Sequence, residues 1–357
     1  MVYYVVFTGE GWICMLGNFF NSFYYGKAGK GDYNPENLPA NRRQLFFEML
    51  RVRWSALVRL NLLYLLFLLP ALIWTGWSYL ALTSAVLGPD VAVVDSAEPG
   101  AVQESAAAGE AVAADAVAQS NAVRSTIILW LAILCPCIAI TGPFTAGVSY
   151  VTRNWARDQH SFMLSDFKDA VKENWKQALG VSCITGVLPL LVYISYSFYG
   201  EMAATRGVFF IIPQMLIVIL GLIWLLSLQL VYTLMVTYRL SFRHLIRNAI
   251  VLSVGKLPLS LGIRLLSWVF PALCLGVMLV FPEATAYAFL ALILYYSLFG
   301  FAFNRFLYAS YANALCEKYI NVNIEGAPTN MGLRQVDEDS YEIDPTVPQP
   351  RPDDDDE

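Results

Sequence analysis

The chain has 357 residues, of which 57% are hydrophobic and 14% are charged. Soluble domains carry about 25% charged residues, so this composition excludes an ordinary soluble protein. The net charge of −5 comes from two acidic segments, since residues 88–123 and 325–357 hold 6 and 11 of the 28 acidic residues. The rest of the chain is basic, as expected for surfaces that face anionic lipid.

Six long stretches without a charged residue follow one another along the chain. Crossing about 30 Å of hydrocarbon takes roughly 20 apolar residues, and each stretch reaches or approaches that length. Because lipid offers no hydrogen bonds to the backbone, these stretches must be helical. The sequence therefore predicts an all-α membrane protein with six transmembrane helices. The stretches are Leu60–Pro89, Ser125–Thr152, Gln177–Gly200, Gly207–Tyr238, Leu265–Pro282 and Ala284–Asn304.

The Lys and Arg residues lie almost entirely on alternate connections between these stretches. Of the 23, 20 fall in residues 1–59, 153–176, 239–256 and 305–357. Basic loops resist translocation, so both termini are predicted to be cytoplasmic, in a multi-pass protein of the bacterial cell membrane.

The fifth span is the weakest of the six. Arg264 interrupts it and Pro271 lies near its middle. Arg264 comes only eight residues after Lys256, so we expect its long side chain to reach the cytoplasmic headgroups. The short link Phe281–Glu283 fits a tight hairpin between the fifth and sixth spans.

Composition divides the chain into three parts. Residues 1–44 are predicted to be a cytoplasmic N-terminal segment, and residues 45–324 the six-span membrane domain. Within that domain, residues 88–123 lack aromatic residues and are predicted to be a disordered external insert. Residues 325–357 are rich in proline and acid and are predicted to be a disordered cytoplasmic tail.

Three similar amphipathic stretches precede the first, third and fifth spans. Each begins with Phe and has a basic residue five positions later: Arg51, Lys172 or Arg247. This pattern favours three repeats of an amphipathic surface helix plus a helical hairpin, with outgoing and returning spans in separate rings. The alternative is that any basic linker before a span tends to be amphipathic. The stretches are Phe46–Trp54, Phe167–Trp175 and Phe242–Ile250.

Polar residues and helix-breaking residues inside the spans are the candidates for helix packing or for a solute pathway. Polar groups in lipid need partners and often mark function, while a proline next to small residues combines a kink with close helix approach. Proline kinks are nevertheless common in membrane helices. The candidates are Asn61, Gly142, Pro143, Thr145, Gly147, Gln229, Arg264 and Asn304.

The repeated basic positions Arg51, Lys172 and Arg247 have two interpretations. In the first, the surface helices lie in the interface of the inner leaflet and bind membrane lipid. In the second, they form a docking surface for a protein partner.

Motifs for catalysis, cofactors or metals are weak. Gly26–Gly31 lacks the spacing and the hydroxyl residue of a phosphate-binding loop. Cys135-Pro-Cys137 favours a kink flanked by two small residues over a metal site. We therefore predict no catalytic, cofactor-binding or metal-ligating residues, no nucleic-acid partner and no enzymatic activity.

A further set of motifs lies within residues 15–320: Gly17–Phe20, Tyr25–Tyr33, Thr141–Gly147, Arg153–Trp155, Ser165–Trp175 and Leu240–Ala249 with Lys256–Pro258. These motifs resemble the YesL family, a group of predicted integral membrane proteins of unknown function found mostly in Gram-positive bacteria. Members of that family are often encoded beside carbohydrate ABC importers. The resemblance implies an accessory or regulatory role in carbohydrate or solute uptake, with ABC importer subunits as partners. The alternatives are a solute permease, with a path near Gly142, Thr145 and Gln229, and a membrane scaffold.

Overall fold

The structure is a computed structural model that describes residues 38–87, 104–324, 326–327 and 329–334. Helices dominate, and the described residues contain no strand. In chain order the helices are α1 (Arg42–Val52), α2 (Trp54–Leu87), α3 (Glu104–Ala156), α4 (Met163–Arg206), α5 (Ile211–Thr237), α6 (Phe242–Gly255), α7 (Leu257–Val280), α8 (Thr285–Tyr295) and α9 (Phe301–Tyr319). A π-helical turn, Tyr296–Gly300, joins α8 directly to α9.

Six helical segments are long and apolar enough to cross a membrane, so this is a multi-pass membrane protein with the predicted all-α fold. The fifth span is confirmed as a helix, since α7 continues without a break past Arg264 and Pro271. A short turn, Pro282–Ala284, then leads into α8. The segments are Trp54–Val86, Ala116–Ala156, Met163–Arg206, Val208–Thr237, Leu257–Val280 and Pro282–Asn323.

The spans form an inner and an outer set, as the repeat pattern predicts. The returning helices α3, α5 and α9 contact one another. Each outgoing helix lies against two of them: α2 against α3 and α9, α4 against α3 and α5, and α7 against α5 and α9. We call the end of the bundle at which α2, α4 and α7 begin the basic end, because its connections are rich in Lys and Arg.

The core is concentrated near the basic end. Trp155, Leu230, Leu234 and Phe306 are almost completely buried in the returning helices. Toward the opposite end, large apolar side chains such as Leu279 remain three-quarters exposed. Exposed apolar surface of this kind suits a helix surrounded by lipid tails.

The three repeated units bury the same positions. The residues three places after the first Phe of each stretch are buried in all three units, and so are those eleven places after it. These residues are Met49, Ala170 and Leu245, and Leu57, Ala178 and Ser253. The units differ in one respect. α1 and α6 are separate helices that end before Arg53 and Lys256, whereas the second surface stretch is the first part of α4 itself.

Two predictions of disorder are wrong for part of their range. The insert predicted over 88–123 is helical from Glu104, because α3 begins there. Its alanine-rich sequence explains this, since alanine has the highest helix propensity. Residues 88–103 lie outside the described residues.

The acidic tail predicted over 325–357 also begins later than expected. The Arg42 side chain donates a hydrogen bond to the Met331 carbonyl (3.2 Å), and the Arg334 amide donates to the Pro39 carbonyl (3.1 Å). Leu333 packs against the core formed by α1, α2, α3 and α9. Residues 335–357 lie outside the described residues, as do residues 1–37 of the predicted N-terminal segment.

Candidate functional site

A buried polar cluster lies where α5, α6, α7 and α9 meet near the basic end. The Ser260 hydroxyl is 2.6 Å from the Tyr311 hydroxyl and 2.9 Å from the Ser253 carbonyl. The Gln229 side-chain amide donates to the Ser260 carbonyl at 3.0 Å. Since polar groups inside a membrane bundle are stabilised by bonds between helices, this cluster fixes the outgoing helix α7 against α5 and α9. Gln229 was predicted from its place in a span, whereas the serines were not.

Arg264 forms a second polar layer one helical turn further along α7. Its guanidinium donates to the Tyr308 hydroxyl (2.9 Å) and to the Leu225 carbonyl, and it lies 5.0 Å from the centre of the Tyr308 ring. The Tyr308 hydroxyl in turn donates to the Ser267 hydroxyl at 2.8 Å. The side chain was expected to reach the headgroups. Instead it is bonded within the bundle, because α5 offers the Leu225 carbonyl and α9 the Tyr308 hydroxyl at its own level.

A second arginine lies close to this layer. The Arg305 guanidinium carbon is 5.0 Å from the centre of the Tyr232 ring on α5. Its neighbour Asn304 has a buried side-chain oxygen with no hydrogen-bond partner among the described residues. The sequence analysis singled out Asn304 and not Arg305, because Arg305 ends an uncharged stretch and reads as a flanking residue.

Asn61 joins α2 to the π-helical turn. Its amide nitrogen donates to the carbonyls of Tyr296 (2.9 Å) and Ser297 (2.8 Å), and its oxygen accepts from the Ala302 amide (3.0 Å). A π-turn disturbs the regular ladder of backbone hydrogen bonds. One completely buried side chain therefore adds three hydrogen bonds to the backbone of this turn and of the start of α9.

The candidates on α3 lie in its interfaces with α2 and α4. A Cβ on Gly142 would come 2.5 Å from the Ala178 carbonyl oxygen, and one on Gly147 would come 2.7 Å from the Phe167 ring. The Thr145 hydroxyl is 2.7 Å from the Tyr64 hydroxyl on α2. These residues are therefore helix-packing positions.

Pro143 has a specific partner across the α3–α4 interface. A proline inside a helix has no N–H for the carbonyl four residues earlier, which here belongs to Ala139. The Ser182 hydroxyl of α4 donates to that carbonyl at 2.7 Å. The backbone group released by Pro143 is thus satisfied by the neighbouring helix, as lipid requires.

Side chains at the basic end tie the returning helices together. Arg153 donates to the Val236 carbonyl at the end of α5 (2.6 Å), and Arg157 donates to Asn313 of α9 (3.1 Å). Arg42 of α1 forms an ion pair with Glu317 of α9. Burial lowers the pKa of Arg157, which indicates how far this layer is withdrawn from water. Of these residues, sequence analysis quoted only Arg153, as part of a family motif.

The repeated basic positions are exposed at the basic end. Arg51, Lys172 and Arg247 all point away from the buried faces of their helices. On α6, basic and apolar side chains together line a shallow groove formed by Phe242, Arg243, Ile246, Arg247, Ile250 and Val251. The structure therefore keeps the three equivalent charges available at one end of the bundle.

No group of three or more metal-ligating side chains occurs among the described residues. Cys135, Cys137, Cys183, Cys274 and Cys316 are free thiols. Cys135 packs beside Gly186 of α4, and its thiol is 3.0 Å from the Gly186 carbonyl.

One protein family matches part of the chain. The family described as "Protein of unknown function, DUF624" matches residues 125–196, which is less than half of the chain. The matched residues comprise most of α3 and α4, including the Gly142–Ala178 and Ala139–Ser182 contacts. No curated protein and no solved structure matches the chain.

Proposed function

We propose that this protein is a non-enzymatic component of the bacterial cell membrane that assists or regulates a solute-uptake system. Both termini are cytoplasmic in this proposal, and the basic end faces the cytoplasm. The single observation that carries it is the exposure of Arg51, Lys172 and Arg247 at equivalent positions of three repeated units. Each exposed Lys or Arg near an anionic leaflet contributes about 1 kcal/mol of attraction. The same charges can bind acidic surfaces of a partner.

The interior supports a docking role over a transport role. Gly142, Thr145 and Gln229 were the residues of the alternative permease path. They lie in three different interfaces: Gly142 between α3 and α4, Thr145 between α3 and α2, and Gln229 between α5 and α7. Large buried side chains such as Trp155 and Phe306 fill the region where the returning helices meet.

The nature of the uptake system comes from the resemblance to the YesL family, which implies ABC importers of carbohydrates. In this proposal the basic end contacts importer subunits beside the membrane, and the bundle holds that surface in place. A membrane scaffold that recruits partners through its tail is the alternative. It predicts that deletion of residues 335–357 abolishes partner recovery, whereas the basic-end proposal predicts that recovery survives this deletion.

The test is recovery of partners from native membranes. The full-length tagged protein is expected to retain ABC importer subunits, and the triple variant Arg51→Glu, Lys172→Glu, Arg247→Glu is expected to lose them. Arg206→Glu is the matched control, since Arg206 is also exposed but lies at the opposite end. Equal recovery with the triple variant would refute the docking surface. Movement of labelled sugar into liposomes by the purified protein alone would favour the permease.

The orientation is tested separately by cysteine labelling in a cysteine-free background. Lys172→Cys is expected to react only from the cytoplasmic side, and Arg206→Cys only from outside. Labelling of both from the same side would contradict the six-span arrangement.

A further inference from the structure

Two arginines occupy the same part of the helix bundle without a carboxylate partner. Arg264 projects from α7 and Arg305 from α9, and each guanidinium lies 5.0 Å from the centre of a tyrosine ring. Arg305 precedes Tyr308, the partner of Arg264, by three residues on α9, so the two side chains belong to neighbouring levels of the bundle. Both are only partly exposed.

Nothing among the described residues balances these charges. α5 and α7 contain no carboxylate, and the single one in α9, Glu317, is paired with Arg42 at the basic end. The other ion pair in the described part of the chain, Arg124–Glu201, lies at the opposite end. A cation that is partly withdrawn from water without an anion beside it is unfavourable, and tyrosine rings offset only part of that cost.

The arginines also retain hydrogen-bond donors. Arg264 uses its two terminal nitrogens on Tyr308 and Leu225, while its Nε is buried with no partner among the described residues. Arg305 makes its described contact with the Tyr232 ring and donates no hydrogen bond to any described residue. A guanidinium has five N–H donors in a planar fork that matches the oxygens of a phosphate.

We propose that α5, α7 and α9 form a binding site for a phosphate group. Arg305 would contact the phosphate oxygens directly, and Arg264, held by Tyr308, would supply the second positive charge. Arg264 lies about 10 Å along α7 from its first residue, at 1.5 Å per residue. That depth is within reach of the phosphate of an anionic phospholipid and of a phosphorylated solute entering from the basic end. The lipid headgroup and the phosphorylated solute both carry the phosphate group that the two arginines would bind.

The experiment uses the purified full-length protein without partners, so the site and the docking function can fail independently. One arm titrates inorganic phosphate against protein in nanodiscs of zwitterionic phosphatidylcholine and measures binding by calorimetry. The other arm measures phosphatidylglycerol retained by the protein in native mass spectrometry. Binding in the first arm identifies a soluble phosphate, and binding only in the second identifies a lipid headgroup.

Arg305→Gln is expected to weaken binding by about tenfold or more, since hydrogen bonds to charged groups are lost. Arg305→Lys is expected to restore part of the affinity, because it keeps the charge and loses the fork. Arg206→Gln, an exposed arginine at the opposite end of the bundle, is the control and should leave binding unchanged. Undetectable binding in both arms would overturn the proposal. Equal binding by wild type and Arg305→Gln would overturn it as well.

Discussion

The α3–α4 pair and the α7–α8 hairpin both carry glycines inside their helices but pack very differently. In α3 and α4, Gly142, Gly147 and Gly186 have neighbours so close that any Cβ would overlap them. In α7, a Cβ on Gly262 or Gly276 would have no neighbour within 4 Å. Glycine in a membrane helix therefore marks close approach in one hairpin and open surface in the other.

The difference teaches that the packing partner, and not the residue type, decides what a glycine does. Gly142 faces the carbonyl oxygen of Ala178, which is backbone and cannot move aside cheaply. The α3–α4 pair is also the part of the chain that the DUF624 family matches. The α7–α8 hairpin is held instead by polar contacts: Ser260 and Arg264 on α7, and the π-turn after α8.

The largest expected effect is on the free energy of unfolding, and a glycine-to-alanine substitution should change it in opposite directions in the two regions. Gly142→Ala should lower the free energy of unfolding by about 2–3 kcal/mol, because the added methyl group overpacks the α3–α4 interface. Gly276→Ala is the matched control. It should raise that energy by about 0.5 kcal/mol, since alanine in an open helical position loses less entropy on folding. Thermal unfolding in detergent, followed by circular dichroism, measures both. Equal effects of the two variants would show that the α3–α4 contact is not rigid.

The spans, their number and the two rings could be predicted from the sequence, because uncharged length and basic flanks are direct consequences of the bilayer. Asn61, Gly142 and Gln229 could also be predicted as packing or pathway residues. Their partners could not. Ser182, for example, has no distinguishing feature in the sequence, and only the packing of α4 against α3 brings its hydroxyl to the Ala139 carbonyl.

The predictions that were wrong or missing also have physical explanations. Residues 104–123 lack aromatic residues and so read as disordered, but their alanines extend the helix that the following span nucleates. In the sequence, Arg305 is typical of the basic residues that flank a span. Its position over the Tyr232 ring depends on how α9 contacts α5, which the sequence does not show. The π-turn at Tyr296–Gly300 has no local signal, since Asn61, which satisfies it, is more than 200 residues away.

A smaller effect is expected at the link between the π-turn and α2. Asn61→Leu should lower the free energy of unfolding by about 2 kcal/mol, because it removes three buried hydrogen bonds to the backbone of the π-turn and α9. Asn304→Leu is the control and should cost much less, since the Asn304 side-chain oxygen has no partner among the described residues. The same thermal assay applies. A loss at Asn304 as large as that at Asn61 would contradict the role of the π-turn contact.

The smallest effect is expected in the polar cluster on α7. Single hydrogen bonds between membrane helices contribute about 0.6 kcal/mol on average. Ser260→Ala and Tyr311→Phe should therefore each lower the free energy of unfolding by roughly that amount. The double variant should cost less than the sum of the two, because both remove the same bond. Strict additivity in this double-mutant cycle would show that the two hydroxyls do not interact.

The unbroken course of α4 has a mechanical consequence. At 1.5 Å per residue, a helix of 44 residues is about 66 Å long, more than the full thickness of a bilayer. Its exposed basic part and the first half of its span form one continuous helix as far as Pro189, whereas α1 and α6 are separated from their spans by breaks. A force on Lys172 is therefore transmitted directly into the α4 span as far as Pro189, whereas α1 and α6 can turn relative to their spans at Arg53 and Lys256.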